Sequence, residues 1–134
     1  REGREGKRVG TAFLIGDVGS VLSHSRQLVL NPFEGHDVEL RRLTNPDLKE
    51  TIKEFSQLDC AFVVSGRGIV EAAARYITID TSETPLTRGW GTRHASVAGI
   101  TRMTKAIGIV VSQSGGRISI FKDGHPVKIV SVAD

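Results

Sequence analysis

Hydrophobic positions divide this chain into short apolar runs, separated by polar breaks marked with glycine and proline. Val9 to Asp17 is one such run and predicts a buried strand, because a strand covered on both faces loses polar alternation. Gly19 to Ser25 reads as a turn and Arg26 to Leu30 as a short extended piece, ended by Asn31-Pro32. Asn45-Pro46-Asp47 opens a helix over Pro46 to Phe55, with proline in the first turn and aspartate near the dipole's positive end. Leu58 to Ser65 is almost continuously apolar apart from Asp59 and predicts a central strand. Gly66-Arg67-Gly68 makes a turn, and Ile69 to Ile77 is a further extended segment or a short helix. After a loop at Pro85 to Trp90, Val97, Ile100 and Met103 give Ala95 to Lys105 a helical spacing. A strand from Ile107 to Ser112 follows, then a turn at Ser114-Gly115-Gly116 and a strand from Arg117 to Phe121. Asp123-Gly124 makes a hairpin into Val127 to Val132. Early alternation of strands and helices, closed by antiparallel hairpins, predicts an α/β fold: one domain with a central mixed β-sheet flanked by helices.

Composition narrows the class without choosing a function. The 134 residues, 39% hydrophobic and 25% charged, suit one soluble domain with a core of its own. No apolar run approaches the roughly 18–20 residues that cross a bilayer, which argues against a membrane partner. The single cysteine, Cys60, excludes an internal disulfide or a thiolate zinc site of its own, and fits a reducing, cytoplasmic setting. The net charge is +3, and much of the excess lies in Arg1, Arg4, Lys7 and Arg8. Residues 1–8 therefore read as a basic segment or linker ahead of a domain over 9–134. That segment is either a solvated tail or a surface for nucleic acid or membrane. Few aromatics and no recognition-helix or RNA-binding motif argue against a nucleic-acid reader. The start at Arg1, with neither Met nor a signal peptide's apolar stretch, reads as a domain excised from a longer chain. Gly3 to Lys7 resembles a phosphate loop, but Arg8 replaces the needed Ser or Thr and a strand follows, so that reading fails.

Candidate chemistry gathers at two points. Gly91-Thr92-Arg93-His94 lies where a loop becomes a helix. Thr92 suits the N-cap, leaving first-turn amides, the helix dipole, Arg93 and His94 to face one anion, phosphate above all. The plainer alternative is an ordinary capped helix start. Asp59 is the second point. A carboxylate in a strand costs free energy unless it has a partner or stands at the strand's start. At an open sheet end it would hold a divalent metal or accept a proton; elsewhere it would accept backbone hydrogen bonds or pair with an arginine. Ser112 and Gln113 end an apolar strand with polar residues able to meet a nucleobase edge, or simply to turn the chain. His24, His36 and His125 form no metal-binding spacing, and no nucleophile-elbow pattern is present.

Leu58-Asp59-Cys60-Ala61, Gly91-Thr92-Arg93-His94 and Ile109-Val110-Val111-Ser112-Gln113, in that order, resemble the diadenylate cyclase (DisA_N) domain. The resemblance covers roughly Val9 to Val132, and the two ends are most similar to the archaeal, DacZ-type branch. It implies an enzyme that condenses two ATP into cyclic di-AMP, with Mn²⁺ or Mg²⁺, in a homodimer or larger assembly. It further implies that Asp59 holds the metal and helps deprotonate the attacking hydroxyl. Thr92, Arg93, His94 and Ser96 would cradle the triphosphate, and Gly91 would allow close approach. Ser112 and Gln113 would line the base pocket, and Tyr76 would either stack on the base or serve as a core aromatic. Two positions depart from the family pattern. Cys60 stands for the glycine of Asp-Gly-Ala, and Ala95 for the second arginine of Arg-His-Arg. They motivate an alternative, a catalytically weak domain that senses a nucleotide or cyclic di-AMP.

Overall fold

The two most apolar segments lie side by side at the centre of one sheet. In the computed structural model, which describes residues 10–80, 91–112 and 116–131, they become β1 (Thr11–Ile15) and β3 (Ala61–Val64), paired in parallel with Ala12 opposite Ala61. Between them run α1 (Val18–Ser23), β2 (Ser25–Gln27), a 3-10 turn at Val38–Arg41 and α2 (Leu48–Phe55). After β3 come β4 (Val70–Ile77), α3 (Thr92–Met103), β5 (Ile107–Val111), β6 (Arg117–Lys122) and β7 (His125–Ser131). The sheet order is β2-β4-β3-β1-β5-β6-β7, and every neighbouring pair except β1–β3 is antiparallel. The expected mixed sheet flanked by helices is the fold observed.

Several boundaries shift, each for a local reason. Gly19 to Ser25, expected as a turn, lies mostly in α1: Val18, Val21 and Leu22 form an i, i+3, i+4 stripe that packs on the sheet. Two left-handed residues, Gly16 at φ 88° and Asp17 at φ 46°, swing the chain from β1 into that helix. The Asp17 carboxylate accepts the Lys105 amide at 2.7 Å, tying the start of α1 to the α3–β5 junction. The extended piece is Ser25–Gln27, and Ile69 to Ile77 resolves as strand β4. Helix α2 starts at Leu48, after an Asx turn in which Asn45 Oδ1 accepts the Asp47 amide. Thr92 is not the N-cap. Gly91 holds that place in extended backbone, its carbonyl accepts the Ala95 amide, and Thr92 is the first helical residue. Asp123 and Gly124, both at positive φ, form the two-residue hairpin turn into β7. The loop at Pro85 to Trp90, residues 1–8, Gln113 and most of the Ser114 to Gly116 turn lie outside the described residues.

Two cores cover the sheet. On one face α1 and α3 enclose Leu14, Val21, Val63, Val97, Ile100 and Phe121. On the other, α2 covers Phe33, Phe62, Val64 and Val70, and the Phe13 and Phe62 rings stack 5.0 Å apart. Each large side chain so buried contributes about 1.5–3 kcal/mol relative to exposure. Among the described residues, no helix is long and apolar enough to cross a membrane.

One irregularity positions the site. From Ala61↔Arg75 to Val63↔Ala72, two residues of β3 advance against three of β4. The extra residue is a β-bulge, with Ala74 left-handed at φ 61°. Ala72 packs into the α1/α3 core and Ala73 into the α2 core. Regular alternation would put Arg75 on the same face as Ala73. The bulge returns it to the face of α1.

Candidate functional site

A cleft opens where β3 begins, β4 ends and α3 starts. Its floor is made of small side chains, Ala12 and Ala61, paired across the two parallel strands. Asp59 stands just ahead of β3, not within it. The Cys60 amide donates to the Leu58 carbonyl at 2.8 Å, a tight turn centred on Asp59 that turns its side chain outward. That side chain is 85% exposed, so it carries little of the desolvation cost a carboxylate inside a strand would incur.

From α3, Thr92, Arg93, Ser96 and Val97 face the cleft, a set spaced as one side of a helix requires. Arg93 is largely buried along its length, and its Nη2 donates to Asp59 Oδ1 at 2.7 Å. The acidic side chain and the cationic helix start therefore meet on one rim. The end of β4 supplies Arg75, half-exposed Tyr76, and Ile77. Arg26 lies over the Tyr76 ring, its guanidinium carbon 5.1 Å from the centroid. Among the described lining residues, Arg75 and Arg93 set against the one carboxylate of Asp59 leave the cleft net positive, with Arg26 beside it on Tyr76. The enclosed space is small, about 50 Å³, and the cleft opens to solvent at its rim.

Of the residues expected from sequence, Asp59, Cys60, Tyr76, Thr92, Arg93 and Ser96 line this cleft together. Gly91 adjoins them. A Cβ there would meet nothing within 4 Å among the described residues, so the fold itself does not demand glycine. His94 is not among the lining residues: it turns inward, its ring tilted against Phe121 at 6.2 Å. Burial first, then the charges of Arg117 and Arg93, hold its pKa below the ordinary imidazole value. Ser112 reaches the same end of the sheet, where its amide donates to the Arg117 carbonyl, but it does not line the cleft. Cys60 is buried. Desolvation, then the Asp59 charge, push its thiol pKa up against the opposing pull of Arg26 and Arg93, which keeps it protonated and unreactive.

Sequence reading missed Arg26 and Arg75. Arg75 follows three alanines in β4, a charged residue after an apolar run, the kind of signal that singled out Asp59.

Among the described residues, no group of three or more His, Cys, Asp or Glu side chains gathers to hold a metal. One exposed carboxylate is nevertheless a suitable anchor for Mg²⁺ or a similar hard cation. Such ions take one or two carboxylates and complete their shell with water and substrate phosphates. The residues fit a cation that arrives with a phosphate-bearing ligand.

Comparison with known proteins bears on the same region. The model of the DAC family, described as DisA bacterial checkpoint controller nucleotide-binding, matches residues 1–126. A diadenylate cyclase of Methanocaldococcus jannaschii is 44% identical over 127 residues, 95% of this chain and 40% of that protein. One from Haloferax volcanii is 40% identical over 127 residues, covering 95% and 46%. The chain thus spans less than half the length of these relatives. Among solved structures, a hypothetical membrane-spanning protein of Bacillus cereus superposes with a TM-score of 0.63 at 22% identity, over 92% of this chain and 55% of that one. A double mutant of Staphylococcus aureus DacA gives 0.53 at 22% identity, over 95% and 77%. These two likenesses speak to the fold alone.

Proposed function

This chain belongs to the DAC, or diadenylate cyclase, domain family, and from that membership and the geometry of the cleft we propose that it condenses two ATP molecules into cyclic di-AMP. The observation that carries the reading is the 2.7 Å meeting of Asp59 and Arg93 at the mouth of a net-positive cleft. A ligand bearing several negative charges would take Arg93 and release the carboxylate.

Each chain binds one ATP, and two chains face one another. The 3′-oxygen of one ribose forms a bond to the α-phosphorus of the other ATP. The bond from that phosphorus to the bridging oxygen breaks, and pyrophosphate leaves with the electron pair. A second, equivalent step closes the ring and releases a second pyrophosphate. The Asp59 carboxylate accepts the hydroxyl proton directly or through water. Arg93, with Thr92, Ser96 and the first-turn amides of α3, binds the phosphates and stabilises the charge that grows during transfer. Tyr76 offers a ring face to the adenine, while Ser112 and Gln113 serve the base from the β5 end. His94, held neutral by its burial, contributes a hydrogen bond rather than a charge. Mg²⁺ or Mn²⁺, held by Asp59 and substrate phosphates, supplies charge neutralisation when bound. Catalysis here rests on positioning and electrostatics.

Mass spectrometry of protein incubated with ATP and Mn²⁺ or Mg²⁺ tests the reading. Cyclic di-AMP and pyrophosphate should form, and Asp59→Asn should lower the rate at least about a hundredfold, as loss of a general base does. The exposure of Asp59 means the variant should still fold. Nucleotide binding without product under any metal would favour the sensor reading, which Cys60 and Ala95 motivate.

A further inference from the structure

Arg75 is held by bonds that no sequence motif announces. Its Nη2 donates to the carbonyls of Leu22 and Ser25, both at 2.7 Å, its Nε to Ser25 Oγ at 3.0 Å and its Nη1 to Gln27 Oε1 at 3.3 Å. All four acceptors are neutral, and among the described residues no ion pair to Arg75 is formed. Burial accordingly lowers its pKa. The acceptors belong to the end of α1 and to β2, so one guanidinium joins three elements. The cross-strand pairs are Ser25↔Ile77, Arg26↔Tyr76 and Gln27↔Arg75. The fork therefore fixes the stretch that presents Tyr76 and Ile77 to the cleft.

Two further observations locate its action. A second cavity of about 340 Å³, bounded by Val18, Leu22, Phe33, Arg41 and Glu71 among others, lies behind Arg75. Arg75 lines both that cavity and the nucleotide cleft, and no other described residue does. It is a partition with space on either side. The backbone before it is also strained. A left-handed alanine costs roughly 1–2 kcal/mol, and Ala74 is kept so by the Leu28 amide on its carbonyl and by Gln27 Nε2 on the Ala73 carbonyl. Strain held in place beside a ligand cleft is a mark of pre-organisation.

We propose that Arg75 is a positioning residue for the nucleotide: by clamping α1 and β2 onto the end of β4 across the bulge, it holds Tyr76 and Ile77 in the arrangement that receives the base. The claim rests on the nucleotide-binding reading above. Four of its five N–H donors are engaged within the fold, so its action runs through Tyr76 and Ile77.

The experiment uses Arg75→Lys, which keeps the charge but not the fork, and Gln27→Ala, which removes one support and leaves the arginine. Binding of a non-hydrolysable ATP analogue is measured by calorimetry, alongside KM, kcat and thermal melting. For Arg75→Lys, analogue Kd and KM should rise about tenfold, with kcat at saturating ATP within threefold of wild type. Gln27→Ala should move Kd and KM in the same direction by a smaller factor. Wild-type affinity in a folded Arg75→Lys would overturn the proposal, as would a loss of kcat at unchanged Kd. If Arg75→Lys does not fold, Gln27→Ala decides alone, and unchanged Kd there overturns it. A wild-type chain that binds no ATP removes the nucleotide reading itself and this proposal with it; binding and turnover by wild type separate the two failures.

Discussion

A buried imidazole lies close to two arginines, a setting that couples its protonation to folding. His94 is 8% exposed, and Arg117 and Arg93 add to its burial in opposing a positive charge there. The folded chain resists protonating His94, whereas the unfolded chain takes up the proton at the ordinary value near 6.5. More protons are then bound on unfolding below that pH, so stability falls as pH drops through it and is level above it. The slope cannot exceed about 1.4 kcal/mol per pH unit for one group. Urea titrations between pH 7.5 and 5 should show this loss, and His94→Gln should reduce it relative to wild type. An identical slope in the variant would mean that other groups set the acid limit. In the proposed mechanism His94 therefore acts uncharged near neutral pH, and positive charge at the cleft comes from Arg93 and Arg75.

Helix α3 transmits the sequence to the site, and its seat depends on one glycine. A Cβ on Gly108 would lie 2.3 Å from Val97 Cγ1 and 3.1 Å from Thr101 Cγ2. Val97 is fully buried and stiff at χ1, so it cannot turn aside. Gly108→Ala should therefore destabilise the fold by roughly 1–3 kcal/mol, as overpacking does, and should weaken ATP binding by lifting Arg93 away from Asp59. Equal denaturation midpoints for the two proteins would show that α3 has freedom to move. Much of this element-level arrangement was legible. Val97 and Ile100 announced the helix, the apolar run after Asp59 announced the central strand, and Asp123-Gly124 announced the hairpin. What escaped was non-local or too short for a period. Six residues of α1 make fewer than two turns, and the β4 bulge follows from register against β3, which no window of β4 reveals. The order of Asp59 and Arg93 along the chain could be read, but their meeting at 2.7 Å depends on where α3 sits over the sheet.

At the scale of the whole molecule, the cleft is half of what the proposed reaction needs. Cyclic di-AMP is two-fold symmetric, and each of its linkages joins a hydroxyl from one ATP to a phosphate of the other. Among the described residues, one chain offers this cleft, lined by the Asp59 carboxylate and open at the rim where Asp59 projects. A nucleotide bound there by its phosphates and base would leave its ribose edge and α-phosphate available to a second nucleotide outside the chain. A second copy carrying its own ATP, cleft to cleft, supplies that partner with the correct symmetry. Activity should then follow the fraction of paired chains. Well below the dimer dissociation constant, tenfold dilution should lower turnover per chain by up to tenfold, because the dimer fraction becomes proportional to concentration. Initial rates across a dilution series, paired with sedimentation at the same concentrations, would check this. ATP affinity per chain should change far less, since the proposed phosphate-binding start of α3 and the Tyr76 wall both belong to one protomer. Turnover that stays constant where sedimentation shows only monomers would require both nucleotides to fit one chain, and the cleft-to-cleft arrangement would have to be abandoned.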